Sequence, residues 1–294
     1  MGLFIFGCFS AAHINIKKIS IVFILIFIYH IIPAYYSLLT GQANVLFSNI
    51  RVSGEFQNVG QFGMLMGLAF IIFYILYLKS RVLSYKIIFA FLIMLALAIL
   101  AFNNTLRIFA AIVFAFSIYY ILYKRKIKYL FIIAIFVLLL ILFNAQVYQR
   151  LYELFTVSYK LEELSEMKFD NSFQWRIMQW YLLTSDWIKN YFISGVGLGQ
   201  QTMLKGFIAP WGEPFVAHSD FVKLLVETGF IGFPLILIIC FSIASFIKKE
   251  IYVSQFALVI LYFLFCLLTG NTMFSNPFQI FIFLIGYLSS YKEY

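Results

Sequence analysis

Charge is scarce in this sequence. Only 11% of its 294 residues are Asp, Glu, Lys or Arg, while 64% are hydrophobic and the mean hydropathy is +0.96. A soluble chain of this size could not cover its surface with so few polar groups, which excludes the ordinary globular class and leaves a polytopic membrane protein. Cysteine is almost missing. Cys8, Cys240 and Cys266 stand in apolar runs without Cys-x-x-Cys spacing, so neither a disulfide framework nor a cysteine metal site is expected. Several chemical signatures are missing too: Asp-x-Asp, His-Glu-x-x-His, a Walker loop and Gly-x-Ser-x-Gly. Their absence removes the sequence support for metal–sugar-nucleotide, zinc-hydrolase, nucleotide and serine-hydrolase sites. No metal and no cofactor is expected.

The opening "MGLFIFGCFSAAHINIKK" lacks a basic n-region, so no signal peptide is read there. Its apolar part, about twelve residues, is too short to span a bilayer core of ~30 Å. It reads as an interfacial segment, or as the remnant of a helix from a longer ancestral chain.

What the chain does contain is apolar length. Runs able to span fall at about 20–39, 61–78, 86–102, 107–123, 129–143, 230–247, 252–269 and 277–290. The expected fold is therefore all-α, with about eight transmembrane helices and one large external loop at 144–228. The domains follow: N-terminal helices over 1–143, the loop, and C-terminal helices over 229–294. Phe 37 and Tyr 20 suit lipid contact and interfacial belts.

Basic residues orient the map. If the loops alternate sides, twelve Lys and Arg crowd into short loops on one side, including Lys124, Arg125, Lys126 and Lys128. The other nine lie opposite, seven of them on the long loop, where the positive-inside rule is weak. The crowded side is the cytoplasmic one. Ten of the twelve acidic residues fall on the outer side, so the net charge of +9 is a matter of topology and a nucleic-acid partner has no support. Basic clusters such as "KRKIK" read as anchors facing anionic lipid. Within the loop, "YQRLYELFTVSYKLEELSEM" and "DNSFQWRIMQWYLLTSDWIKNYF" keep apolar residues at helical spacing, which predicts two amphipathic helices, the second with Asp170, Asn171 or Ser172 as N-cap.

Four polar constellations fall on this outer side. In "AFNNTLRIFAAIVF", Arg107 begins an apolar helix, either as an interfacial anchor or as a functional cation, because charge so near hydrocarbon needs a partner or a path to water. In "FQWRIMQW", Arg176 follows Trp175 and precedes Trp180 by one turn. That arrangement suits a bidentate phosphate contact or a cation–π stack without ligand. In "ISGVGLGQQ", Gly195, Gly197 and Gly199 match a dinucleotide fingerprint poorly and are better read as a tight turn with close backbone approach. The fourth is "FVAHSDFVKLLVETGFIG". Here Ser219 or His218 can cap a helix from Asp220 to about Thr228, with Gly229 ending it and Gly232 just inside the next span. His13 and His30 sit in apolar surroundings and read as structural. His218 alone joins a helix start, a water-facing side and nearby acids, Asp220 and Glu227. A helix N-terminus favours anions, so a phosphate-bearing substrate is expected there, with the imidazole as a general base.

The order of these elements resembles the O-antigen polymerase and O-antigen ligase superfamily. The matching positions are Arg107; Arg176 and Trp180; Gly195, Gly197 and Gly199; and His218, Glu227, Gly229 and Gly232. Upstream, "SGEFQNVGQFGMLM" is similar at Gly54, Gln57 and Asn58. The likeness runs from about residue 50 to the end. It implies a metal-independent glycosyltransferase of the bacterial cytoplasmic membrane that polymerises or transfers glycans carried on undecaprenyl diphosphate at the outer face. Carried over, it implies that Arg107 and Arg176 hold the diphosphate and that His218 helps to activate the acceptor hydroxyl. Trp180, Gly197, Gly199, Asp220 and Glu227 join them as substrate-binding residues. The implied partners are an undecaprenyl-diphosphate-linked oligosaccharide, the bilayer, and a polysaccharide chain-length regulator. Two departures stand out: Ser219 occupies a position where the superfamily often has Asn, and relatives usually carry about ten or more spans, so an N-terminal portion is expected to be missing. Polymerase is the preferred reading, O-antigen ligase the nearest alternative, and a transporter or an inactive scaffold the readings from other classes.

Overall fold

A computed structural model describes residues 16–40, 44–46, 49–51, 59–103, 106–122, 148, 152, 172–206, 216–247, 253–270 and 277–280. Several expectations lie outside these residues: the N-terminal segment 1–15, Gly54, Gln57 and Asn58, the span at 129–143, nearly all of 277–290, most of the first amphipathic helix, and the caps Asp170 and Asn171.

The described chain is helical. Its helices are α1 (Ile16–Leu39), α2 (Val59–Lys79), α3 (Leu83–Asn103), α4 (Leu106–Leu122), α5 (Ser172–Asn190), α6 (Asp220–Ile247) and α7 (Val253–Thr269). A described helix thus lies on six of the runs expected from hydropathy. Three stretches are long and apolar enough to cross a membrane: Ile21–Leu39, Val59–Lys79 and Leu83–Ala101. Arg107–Ile121 and Ala257–Thr269 are shorter and also apolar.

The all-α class holds, with one short ladder beside the helices. Strands β1 (Asn44–Leu46) and β2 (Asn49–Arg51) pair antiparallel, with Val45 opposite Ile50. A β-branched pair across so short a ladder favours a pleated pairing, but three residues are too few to display a period of two.

The chain divides into two compact units. The first comprises Met1–Tyr148, Glu250–Cys266 and Phe274–Tyr294; the second comprises Gln149–Lys249 and Leu267–Met273.

In the first unit α2 carries the core. Every residue from Phe62 to Ala69 is buried, whereas α1 and α3 each leave a broad apolar side exposed, as a lipid-facing helix does. The Phe27 ring meets the Phe73 ring edge-on at 4.9 Å, and the Tyr74 and Tyr120 hydroxyls are hydrogen-bonded. Tyr262 donates to the Met64 carbonyl at 2.9 Å. Gly67 makes room for that contact, because a Cβ there would meet the Tyr262 hydroxyl and stand 2.9 Å from Ile108 Cγ2. Small residues at helix contacts permit such approach where the surrounding lipid is as apolar as the side chains.

The second unit is built on α5 and the first half of α6. Leu183 and Trp187 from α5 pack with Leu204, Ala217 and Val226. Buried positions 179, 183 and 187 share one face of α5, while Tyr181 and Ile188 on the opposite side are exposed. This is the expected amphipathic helix.

Candidate functional site

α6 is two helices joined at an elbow. Gly229 interrupts it with φ 70° and ψ −175°, a conformation essentially restricted to glycine. The segment expected to run from Asp220 to Thr228 is therefore a helix of its own, with the apolar run beginning at Phe230. Ser219 caps it: Ser219 Oγ accepts the Val222 N–H at 3.3 Å. The same hydroxyl donates to the Leu268 carbonyl at 2.8 Å, and the residue is buried. The choice between His218 and Ser219 as cap falls to serine. His218 has φ 50°, a left-handed conformation uncommon for a residue with a Cβ, and so turns the chain sharply just before the cap.

Three N–H groups at the helix start, where a phosphate was expected, are bonded within the protein. Asp220 N–H donates to the Gly270 carbonyl at 3.2 Å, Val222 N–H to Ser219 Oγ, and Lys223 N–H to the Ser219 carbonyl at 3.0 Å. Asp220, buried in the first turn, already places a carboxylate at the positive end. These three donors are committed within the protein.

α5 grips the His218 turn at two points. The Trp175 ring stands edge-on to the imidazole, with centroids 4.9 Å apart and planes at 85°. Trp180 Nε1 donates to the Ala217 carbonyl. Arg176, half-buried, lies between these two indoles on the same helix, so the fold brings Arg176, Trp180, His218 and Asp220 into one neighbourhood of the second unit. Trp175, read from sequence only as a neighbour of Arg176, is the residue that touches the imidazole.

The glycine loop serves the far end of the short helix. Gly195, Gly197 and Gly199 all have positive φ, at 70°, 98° and 79°. Val196 N–H donates to the Val226 carbonyl at 3.0 Å and Gly197 N–H to the Glu227 carbonyl at 2.9 Å. At Gly195 a Cβ would overlap the Glu227 carbonyl, and at Gly229 it would overlap Gly195 and the Ile193 carbonyl. The loop is the tight turn with close backbone approach read from the sequence. Glu227 follows Asp220 by seven residues, hence on the same helix face about 10 Å along the axis. Its carboxylate is buried, and Oε1 has no hydrogen-bond partner among the described residues.

Two further buried polar groups escaped sequence reasoning. Among the described residues, neither amide atom of Gln201 is hydrogen-bonded, and Trp187 Nε1 is likewise unpartnered. Gln201 opens the 3₁₀ turn Gln201–Met203, which packs against α6, and Trp187 lies in the apolar cluster with Leu204 and Val226. Only tertiary packing buries them.

Arg107 belongs to the first unit, in the first turn of α4, where it is half-buried.

A family model described as O-antigen ligase matches residues 91–237, which is 147 of the 294 residues. The chain belongs to the O-antigen ligase family. The match takes in Arg107, Arg176, the glycine loop, His218 and the elbow, so these features lie in the family's defining segment. Members of the O-antigen ligase family are membrane glycan ligases and polymerases, which makes the chain a glycosyltransferase-like membrane protein. No curated protein matches it.

Proposed function

We propose that this protein polymerises undecaprenyl-diphosphate-linked oligosaccharide repeat units at the outer face of the bacterial cytoplasmic membrane, without a metal. The observation that carries the reading is the clamp on His218: an imidazole set by Trp175 and a left-handed turn, one residue from a buried cap, beside the helix that bears Arg176.

In this reading an acceptor hydroxyl attacks the anomeric carbon of the donor glycan. The hydroxyl proton passes to a ring nitrogen of His218 as the new C–O bond forms. The bond from the anomeric carbon to the diphosphate oxygen breaks, and undecaprenyl diphosphate leaves with the electron pair. Negative charge grows on that leaving group, and a guanidinium held ready near it, Arg176, stabilises it more than water would. General-base assistance of this kind contributes about 10² to 10⁴ in rate. Arg107 is assigned to the diphosphate by the resemblance, which also assigns Trp180, Gly197, Gly199, Asp220 and Glu227 to substrate binding. A chain-length regulator is the proposed protein partner.

The description of the matched family favours a second reading, transfer of the finished glycan to a lipid A core by the same chemistry. The acceptor separates them. With lipid-linked oligosaccharide as donor and acceptor, the wild type in vesicles should build a polymer ladder and His218→Ala, present at equal level, should not. A ladder retained in His218→Ala overturns the assignment. Transfer only to a lipid A core establishes the ligase reading.

A further inference from the structure

The turn that follows α5 and the start of the apolar part of α6 form one exposed ledge. Phe230 N–H donates to the Phe192 carbonyl at 2.9 Å and Ile231 N–H to the Ile193 carbonyl at 3.4 Å. These bonds fix residues 192–193 and 230–231 at one level along α6. The Phe192 and Phe230 rings stack, with centroids 5.2 Å apart and planes 20° apart. Yet Phe230 is 59% exposed, Ile193 62% and Ile231 60%. The backbone is paired here while the apolar side chains point away from protein. Contiguous exposed apolar surface of this kind marks an interaction site.

The occupant follows from what the ledge adjoins. Phe230 and Ile231 are the first residues of an apolar helix that runs to Ile247 without one Asp, Glu, Lys or Arg. Eighteen helical residues cover about 27 Å, close to the thickness of a hydrocarbon core. The ledge is therefore continuous with the surface that such a helix turns to lipid. Lys189, in the last turn of α5, is exposed three residues before it.

We infer that residues 192–193 and 230–231 form a ledge immersed in the acyl chains at the edge of the bilayer, anchoring the second unit to the membrane. The 191–199 loop is then a membrane-embedded turn and not a free hydrophilic loop. Resting on the function proposed above, this anchoring has a use. Residues 220–228 extend about 14 Å as a helix, so His218 stays within that helical path of the acyl boundary, where the diphosphate of a lipid-linked donor resides.

Spin labelling of the 294-residue chain in vesicles of phosphatidylethanolamine and phosphatidylglycerol tests the ledge. Cys8 and Cys240 are replaced by alanine, and buried Cys266 is left. Labels are placed at Ile193→Cys and Phe230→Cys, with Lys189→Cys as the aqueous reference and exposed Met94→Cys on α3 as the lipid reference. Relaxation by oxygen relative to a water-soluble nickel complex should match Met94→Cys and exceed Lys189→Cys severalfold. Nickel accessibility equal to that of Lys189→Cys overturns the inference, as does protection from both reagents, which would mean that protein covers the ledge. If Phe230→Cys does not reconstitute, Ile231→Cys, which keeps the ring stack, gives the same reading. The measurement does not involve glycan transfer, so it succeeds or fails separately from the proposed activity.

Discussion

Trp175 holds its indole at right angles to the His218 imidazole, with the ring centroids 4.9 Å apart. An edge-to-face pair of this kind is worth about 0.5–1.5 kcal/mol beyond area burial and sets ring orientation. Trp175→Ala should lower turnover about tenfold, the equivalent of ~1.4 kcal/mol in the barrier, while Trp175→Phe keeps most of it. Turnover and the Michaelis constant for the lipid-linked acceptor, measured separately, check this. Loss confined to turnover is the expected result.

The glycines of the elbow are not equivalent. Gly229→Ala and Gly195→Ala each push a Cβ into backbone across the contact and oppose a φ of 70°. Left-handed strain costs about 1–2 kcal/mol per residue before any clash, and both variants should lose most of their folded yield in detergent. Gly199→Ala faces a φ of 79° with nothing within 4 Å. It should remain folded with a melting temperature a few degrees lower. Size-exclusion profiles and thermal melts separate the two behaviours.

Ser219→Ala removes both the helix cap and the bond to the Leu268 carbonyl. Loss of a cap costs about 0.5–2 kcal/mol, which in a chain of this size lowers the melting temperature by about 2–4 °C per kcal/mol. Ser219→Thr, which retains the hydroxyl, should recover most of it.

The buried amide of Gln201, without a hydrogen-bond partner among the described residues, contributes no net stability. Gln201→Met, similar in volume, should leave the melting temperature unchanged or raise it. A fall of several degrees would show that an ordered water satisfies the amide.

Much of this was legible in the sequence where the signal is local. Apolar length located the helices from Ile16 to Leu122 and those on either side of residues 248–252, since lipid rewards continuous hydrophobicity over some twenty positions. The sequence Ser219-Asp220 followed nine residues later by Gly229 announced a capped helix and its stop. The rest depended on contacts between distant segments. Nothing near Trp187 in the chain signals that Leu204 and Val226 will close over it, and nothing near Gln201 signals that α6 will, while three-residue strands give no period to read. The closed N–H group at Asp220 was hidden for the same reason, because its acceptor is the Gly270 carbonyl, fifty residues away.

The crossing of Gly195 and Gly229 also restricts how the second unit can move. Two backbones in contact without side chains between them, tied by bonds at Val196, Gly197, Phe230 and Ile231, behave as a rivet. Any swing of the second unit has to leave this joint intact, so the glycine loop and the elbow move together as one body.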